Sequence, residues 1–355
     1  MNEIQSLMEP DSRNSSEGRK VKAMSVNISQ AAMIYSGKFD NERDYWLKKL
    51  SGELTVSGFS GPLGRPETYR DTRAVYEFSF PHEIRKGIIH ICNNSEYGIF
   101  MVLLTGIIYL LFKYSGNEDI ILGTPVFKPE GPGVCINDTL ALRNHVTLAM
   151  SFKELLMEVQ VTVNEANENM NFPFHELVKL LHIQPDQNRS PLFDIMVAFK
   201  NIHNESVVSE QNCDTIFLFN WTGEYLGGEI NYNNSLIDEE AVRSLSRQLV
   251  NYFEIVIKTP EITLSGIEIL SKEEKQQLLV GFNNTEADYP DNKEINLLVE
   301  EQAARMPDST AVVFEDKEIT YNELNKKSNQ MAAMLKENGA APDDIIALLL
   351  KPSID

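Results

Sequence analysis

From Tyr97 to Phe112 the chain runs without a single charged residue. A segment this apolar is at rest in only two places, a bilayer or the interior of a fold. A spanning helix needs about 20 apolar residues to cross the hydrocarbon. This run is shorter, and Gly98, Thr105 and Gly106 interrupt it. We read it as a helix buried on every side, which needs packing partners all round. With 355 residues the chain is long enough for such a core and for more than one domain.

The flanking patterns supply the partners. Val75 to Phe80 alternates as a strand with Tyr76, Phe78 and Phe80 on one face. Asp119 to Val126, Phe193 to Phe199, Thr215 to Trp221 and Glu229 to Tyr232 also read as strands. Residues Ala31 to Leu50 turn amphipathic, and a short helix is expected there, closed by Gly52. Ser151-Phe-Lys-Glu154 is a capping box ahead of inward-facing Phe152, Leu155, Leu156, Val159 and Val163. Asp238 can cap a long helix carrying Val242, Leu245, Leu249, Phe253 and Val256 on its inner face. Strands and helices mixed in this order predict a layered α/β or α+β domain.

A second unit is expected to begin near residue 271, where Ser271-Lys-Glu-Glu274 forms another capping box. Turn-forming residues from Gly281 to Asp291 read as a linker. Beyond it we expect a helix over Ile295–Arg305, a strand at Thr310–Phe314, a helix from Thr320 to Glu337 closed by Gly339, and a strand at Ile345–Leu350. Two or three strands do not close a typical α/β core, so this unit is expected to be truncated. Residues 1–30, with Pro10, Asn14, Ser15, Ser16 and Gly18, read as a flexible tail.

Charge narrows the partners. Lys and Arg number 32 against 52 Asp and Glu, a net charge of −20. That argues against nucleic acid, whose phosphates need clustered Lys and Arg, and against anionic membrane surfaces. With 42% apolar residues, wholesale disorder is excluded as well. No secretory signal is visible at the N-terminus, so a cytoplasmic protein is expected. Cys92, Cys135 and Cys213 are too few and too scattered for a disulfide framework or a zinc site.

A catalytic constellation is equally hard to find. His82, His90, His145, His175, His182 and His203 show no metal-ligand spacing. His175 and His182 are expected on one face of one helix. There is no Gly-x-Ser-x-Gly elbow and no Gly-x-x-x-x-Gly-Lys loop for phosphate. Gly227-Gly228 reads as a tight turn or a bulge. Glu239-Glu240 and Glu273-Glu274 sit in first helical turns, where the helix dipole explains them.

Several ordered motifs nevertheless resemble a known family, the condensation domains of nonribosomal peptide synthetases. Tyr45-Trp-Leu-Lys-Lys-Leu-Ser-Gly52 resembles the helix that joins their two lobes. Met101 through Ile120 and Gly123-Thr-Pro125 resemble the helix and strand leading to the fifth motif. Asn137-Asp-Thr-Leu-Ala-Leu-Arg143 resembles that motif with Asp138 inserted; its matching positions are Asn137, Thr139 and Arg143. Asn169 to Leu177 resembles the sixth motif through Pro173 and Phe174, although its customary start and the acid after Pro-Phe are replaced. Pro185 to Asp194 resembles the seventh through Asp186, Arg189 and Pro191, with Pro185 where arginine is usual. Phe282 to Pro290 resembles the connector to an adenylation domain. Pro307-Asp308, Ala311 to Glu315 and Ile319 to Leu324 resemble that domain's first strands and first core motif, with Thr320, Tyr321, Glu323 and Leu324 at the motif positions.

The resemblance implies one chloramphenicol-acetyltransferase-like lobe, a mixed sheet with flanking helices. It implies a partial condensation domain over 31–270, a linker over 271–292 and a truncated adenylation start over 293–355. The family's catalytic signature, His-His-x-x-x-Asp-Gly, belongs to an N-terminal lobe that is expected to be absent. No residue here is therefore assigned as catalytic or metal-binding. In the family, the fifth-motif arginine pairs with the signature aspartate, so Arg143 is expected to be solvated or paired elsewhere. His175, at a variable end of the sixth motif, is set aside as a substitute base.

Two roles follow from the resemblance. One is a non-catalytic platform beside an adenylation domain that docks a peptidyl carrier protein, with Lys128, Lys179 and Arg189 as scattered docking candidates. The other is half of a split amide-forming enzyme, completed by an N-terminal lobe or an upstream synthetase subunit in trans. A small remainder covers acyl transfer by another route. Phosphopantetheine would enter on partner carriers. ATP and magnesium would matter only to a complete adenylation domain.

Overall fold

The computed structural model describes residues 37, 39–55, 57–59, 72–128, 137–184, 190–209, 213–289, 292–347 and 349. The expected tail over 1–30, Cys135, Asp186 and Arg189 lie outside them. Two units emerge, residues 1–277 and 278–355.

The uncharged run becomes helix α3. In chain order the first elements are α1 (Asp40–Lys49), β1 (Arg73–Ser79), α2 (His82–Ile91) and α3 (Glu96–Ser115). Every residue of α3 from Ile99 to Phe112 is buried. Each of its three interruptions has a use. A Cβ at Gly98 would meet Cys92 Cβ at 3.1 Å and Cys92 O at 3.3 Å, so glycine gives the preceding turn room, and Thr105 Oγ1 donates to Met101 O at 2.7 Å. A side chain at Gly106 would meet Phe253 Cζ at 2.7 Å and Leu249 Cδ1 at 3.0 Å, so glycine lets the neighbouring helix lie close.

Next come β2 (Asp119–Pro125), β3 (Thr139–His145), α4 (Phe152–Glu168), α5 (Phe174–Leu180), β4 (Ile195–Phe199) and α6 (Glu205–Ser209). They are followed by β5 (Thr215–Trp221), β6 (Leu226–Asn233), α7 (Glu239–Lys258) and α8 (Lys272–Gln276). The six strands form one sheet in the order β1-β6-β5-β4-β2-β3. The β2–β4 and β4–β5 pairs are parallel and the others antiparallel, which is the expected mixed sheet. Helices α2, α3, α4 and α7 pack on one another, with α3, α4 and α7 also on strands. The capping boxes at Ser151 and Ser271 and the Asp238 cap form as expected.

Four details differ from the sequence reading. Helix α5 ends at Leu180 and His182 takes a left-handed backbone, φ 54°, so His175 and His182 do not share a helix. Gly227 and Gly228 lie inside β6, in unbroken register with Phe78 and Ser79 on β1. The backbone carbonyls of Phe78 and Leu218 leave no room for a Cβ at either glycine. Segment 271–276 is fastened to the first unit: Glu274 accepts from Ser244 Oγ at 2.5 Å, and Arg247 lies 3.4 Å from the same carboxylate. The fourth difference lies in the second unit.

That unit comprises α9 (Ile295–Arg305), β7 (Thr310–Phe314), β8 (Lys317–Thr320) and α10 (Tyr321–Glu337). Strands β7 and β8 form a hairpin, with Glu315 at φ 53° in its turn. Thr320 and Glu323 complete the expected capping box of α10. Residues 345–347, expected in a strand, are irregular: no described strand pairs with them, and Ile345 is 98% exposed. An apolar run becomes a strand only where a neighbour completes its ladder.

Candidate functional site

The motif residues converge on the β2–β3 side of the sheet. Asn137 is 7% exposed and bridges two motifs with three hydrogen bonds. Its Nδ2 donates to Met170 O at 2.6 Å and Phe172 O at 2.5 Å, and its Oδ1 accepts from Phe174 N at 2.8 Å. The fifth motif thus fixes the backbone of the sixth at the start of α5. Pro173 occupies the N-cap of that helix, where its missing N–H costs nothing. The Phe174 ring sits 6.1 Å from that of Phe193, and the Phe193 ring packs against Gly123, whose missing side chain makes room for it. Thr139 opens β3 and is buried. The inserted Asp138 forms an exposed bend, and its carbonyl accepts from Val126 N. Pro191 is exposed, while Asp194 after it is buried.

Of the two expectations for Arg143, solvation or another partner, the structure shows a partner within the chain. Register places Arg143 opposite Ile121, diagonal to Asp119 on the same face. Its Nε donates to Asp119 Oδ1 at 2.8 Å and its Nη2 to Oδ2 at 2.7 Å, a bidentate fork. Nη1 donates to Lys49 O at 3.3 Å and Ser51 O at 2.6 Å, and Nη2 to Glu53 O at 3.1 Å. Hydrogen bonding to Asp119 raises the guanidinium pKa against the opposing effect of burial. The carbonyls it meets lie at and beyond the C-terminal end of α1, where helix carbonyls lack partners.

Helix α1 is tied down elsewhere too. Trp46 Nε1 donates to Asn169 O at 2.8 Å, and Lys49 Nζ donates to Thr162 Oγ1 on α4 at 3.2 Å. Sequence reasoning missed Asp119 as the arginine's partner. Only the register of β2 with β3, which brings both residues onto one face, identifies it.

The same face continues through Met196 and Ile216 to the other half of the sheet. There register aligns Val75 and Glu77 of β1 with Asn231 and Glu229 of β6, and these with Ile216 and Leu218 of β5. This half is open among the described residues. Val75 is 53% exposed, and a cleft of about 190 Å³ is lined by Glu77, Lys200, Leu218, Asn220, Tyr225, Gly228 and Glu229. Lys200 pairs with Glu229 at 2.9 Å and Glu205 at 3.3 Å.

The histidines form no centre. All six lie among the described residues, and His203 alone is buried. Its Nδ1 accepts from Phe199 N at 3.0 Å, and Phe127 and Phe100 wall its ring. His175 is exposed, 3.2 Å from Glu176 Oε1. The candidate docking cations are engaged locally. Lys128 Nζ donates to Lys200 O at 2.7 Å, and Lys179 pairs with Glu176 at 2.7 Å. In the second unit Thr320 and Glu323 cap α10, while the Tyr321 N–H donates to Ser309 O at 3.0 Å, so this motif positions a helix start.

Known proteins share this fold. Gramicidin S synthase 2 of Brevibacillus brevis is 31% identical over 349 residues, covering 92% of this chain and 8% of that protein. Bacitracin synthase 3 of Bacillus licheniformis is 31% identical over 363 residues, covering 96% of this chain and 6% of that protein. The chain therefore spans less than a tenth of the length of these relatives. Among solved structures, the X-domain from teicoplanin biosynthesis in complex with OxyB aligns with a TM-score of 0.59 at 17% identity, over 69% of this chain and 59% of that one. A four-domain nonribosomal peptide synthetase bound to AMP and glycine aligns with a TM-score of 0.61 at 16% identity, over 85% of this chain and 25% of that one. At such identities the likeness shows the fold. Residues 299–355 match the AMP-binding enzyme model. Residues 17–279, nearly three quarters of the sequence, match the condensation domain model, and the chain belongs to that family: a condensation-domain lobe followed by the start of an adenylation domain.

Proposed function

We propose that these 355 residues serve peptide natural-product biosynthesis as a platform beside an adenylation domain, without forming peptide bonds by themselves. The observation that carries this reading is that no histidine stands in a built catalytic centre among the described residues. The His-His-x-x-x-Asp-Gly signature does not occur in the sequence. The one buried imidazole, His203, has Nδ1 engaged by the backbone and both flanks closed by aromatic rings. A general base has to reach the proton it removes. The X-domain in complex with OxyB is a case of this fold holding another protein, which supports a docking role.

On this reading the partners are the downstream adenylation domain and a peptidyl carrier bearing phosphopantetheine, in the cytoplasm. ATP and magnesium would matter only to a complete adenylation domain. The test mixes two carrier proteins, loaded with donor and acceptor aminoacyl groups, with this chain alone. No dipeptidyl thioester is expected, and its formation would overturn the reading. A second reading, half of a split condensation enzyme, rests on the open β1–β6–β5 face, which an N-terminal lobe could cover. It requires amide formation to appear when that lobe is added in trans.

A further inference from the structure

We propose that Arg143 is a positioning residue that locks residues 49–53 onto the sheet, and that it has no donor left for any other carboxylate. This deepens the platform reading and rests on it only for its consequence: a carboxylate from a second chain can reach this arginine only by displacing Asp119. A guanidinium has five N–H donors and no acceptor. The five contacts described above account for one Nε, two Nη1 and two Nη2 bonds, to Asp119 twice and to the carbonyls of Lys49, Ser51 and Glu53.

The lock is reinforced from the acid's side. Thr55 Oγ1 donates to Asp119 O at 3.2 Å and approaches Oδ2 at 3.5 Å. Two residues on, Ser57 Oγ accepts from Ile121 N at 3.1 Å. Strand β2, the arginine on β3 and the segment after α1 are therefore stitched by one polar seam. Helix α1 itself is anchored by Trp46 and Leu50, which are 2% and 1% exposed. Its apolar residues hold it against the lobe, and Arg143 fixes where its C-terminal end points. Planar, forked donation is what the site uses, so lysine cannot replace it.

The experiment is residue-resolved hydrogen exchange on the full chain. Arg143→Ala is expected to speed exchange of the amides of residues 44–53 at least tenfold more than those of β4–β6. Asp119→Asn should give a smaller change confined to the same residues, and Arg143→Lys should recover less than half of the lost protection. Replacing 100 mM chloride by 100 mM acetate should leave the wild-type pattern unchanged. Uniform acceleration across the lobe in all three variants, no change at residues 44–53, or loosening by acetate would each overturn the proposal. None of these readouts depends on peptide-bond formation, so the platform reading stands or falls separately.

Discussion

Acid should loosen the lobe through a single imidazole. His203 is 1% exposed, stacked 5.4 Å from the Phe127 ring and 4.7 Å from the edge-on Phe100 ring. Because Nδ1 accepts from the Phe199 N–H, the neutral ring carries its proton on Nε2, which has no partner among the described residues. A second proton would have to displace the Phe199 N–H and leave a cation between two aromatic rings. Burial first, and nearby Lys128 second, push its pKa down from 6.5 to about 3. The unfolded chain therefore binds more protons than the folded one between these values, and stability falls as pH drops from about 6.5 toward 3. Well below 6.5 each pH unit is worth about 1.4 kcal/mol, so acidifying from pH 8 to pH 5 should cost about 2 kcal/mol through this group. Both tryptophans, Trp46 and Trp221, lie in the first unit, so their fluorescence reports its unfolding by denaturant. Wild type should lose about 2 kcal/mol more than His203→Asn over that interval, since an asparagine carbonyl can still accept from Phe199 N without titrating. Carboxylate effects are common to both proteins and cancel. Parallel stability curves for the two would refute the reasoning.

Other perturbations test other joints. Asn137→Ala removes three hydrogen bonds and orphans two carbonyls and an N–H, and should cost about 3 kcal/mol in the same denaturation assay, with loss of protection at residues 170–174. Gly106→Ala pushes a methyl onto Phe253 and Leu249 and should cost about 1–3 kcal/mol, read as a lower midpoint with unchanged denaturant slope. Burial works against ionisation of Glu274, but Ser244, the Ser271 N–H and Arg247 outweigh it and hold its pKa below the usual carboxylate value. Its contribution is therefore present above about pH 4.5 and fades as pH falls further. Glu274→Gln should match wild type in strong acid and fall below it at neutral pH by proteolysis at residues 271–277.

Much of this architecture was legible because local chemistry and tertiary demand agreed. The capping boxes at Ser151, Ser271 and Thr320 need only their own four residues, and all three form. The uncharged helix announced its burial by composition alone. What escaped was set by partners distant in sequence. Strand β3 carries an arginine and an asparagine, Arg143 and Asn144, so its pattern does not alternate cleanly; its place follows from pairing with β2. Hairpin strand β8 is four residues long and partly exposed, too short for periodicity. The Gly227-Gly228 pair carries the composition of a turn, yet neighbouring carbonyls press on it from both sides of β6. Conversely, Ile345 to Leu350 has the composition of a strand, and its described residues gain no ladder. Within the site, motif resemblance identified Asn137 and Arg143, but Asp119 could be found only once the register of β2 and β3 was known.

The unequal covering of one sheet face bears on which role this lobe can play. Over β2 and β3 the face is closed by the chain itself: the Phe193 ring rests on Gly123, and the end of α1 is fastened to Arg143. Over β1, β6 and β5 it presents Val75, Glu77, Leu218 and Glu229 to solvent among the described residues. Glu77 and Glu229 are register partners, and like charges facing each other across strands are unfavourable unless a cation intervenes. Lys200 serves Glu229 but divides itself with Glu205. A protein surface laid over this half would therefore gain most by bringing a basic side chain toward Glu77. The closed half asks for nothing further. On the proposed platform reading, Glu77→Lys should therefore weaken the complex with a docked chain, read as a raised dissociation constant in titration calorimetry, where Arg143→Lys leaves its charge complementarity intact.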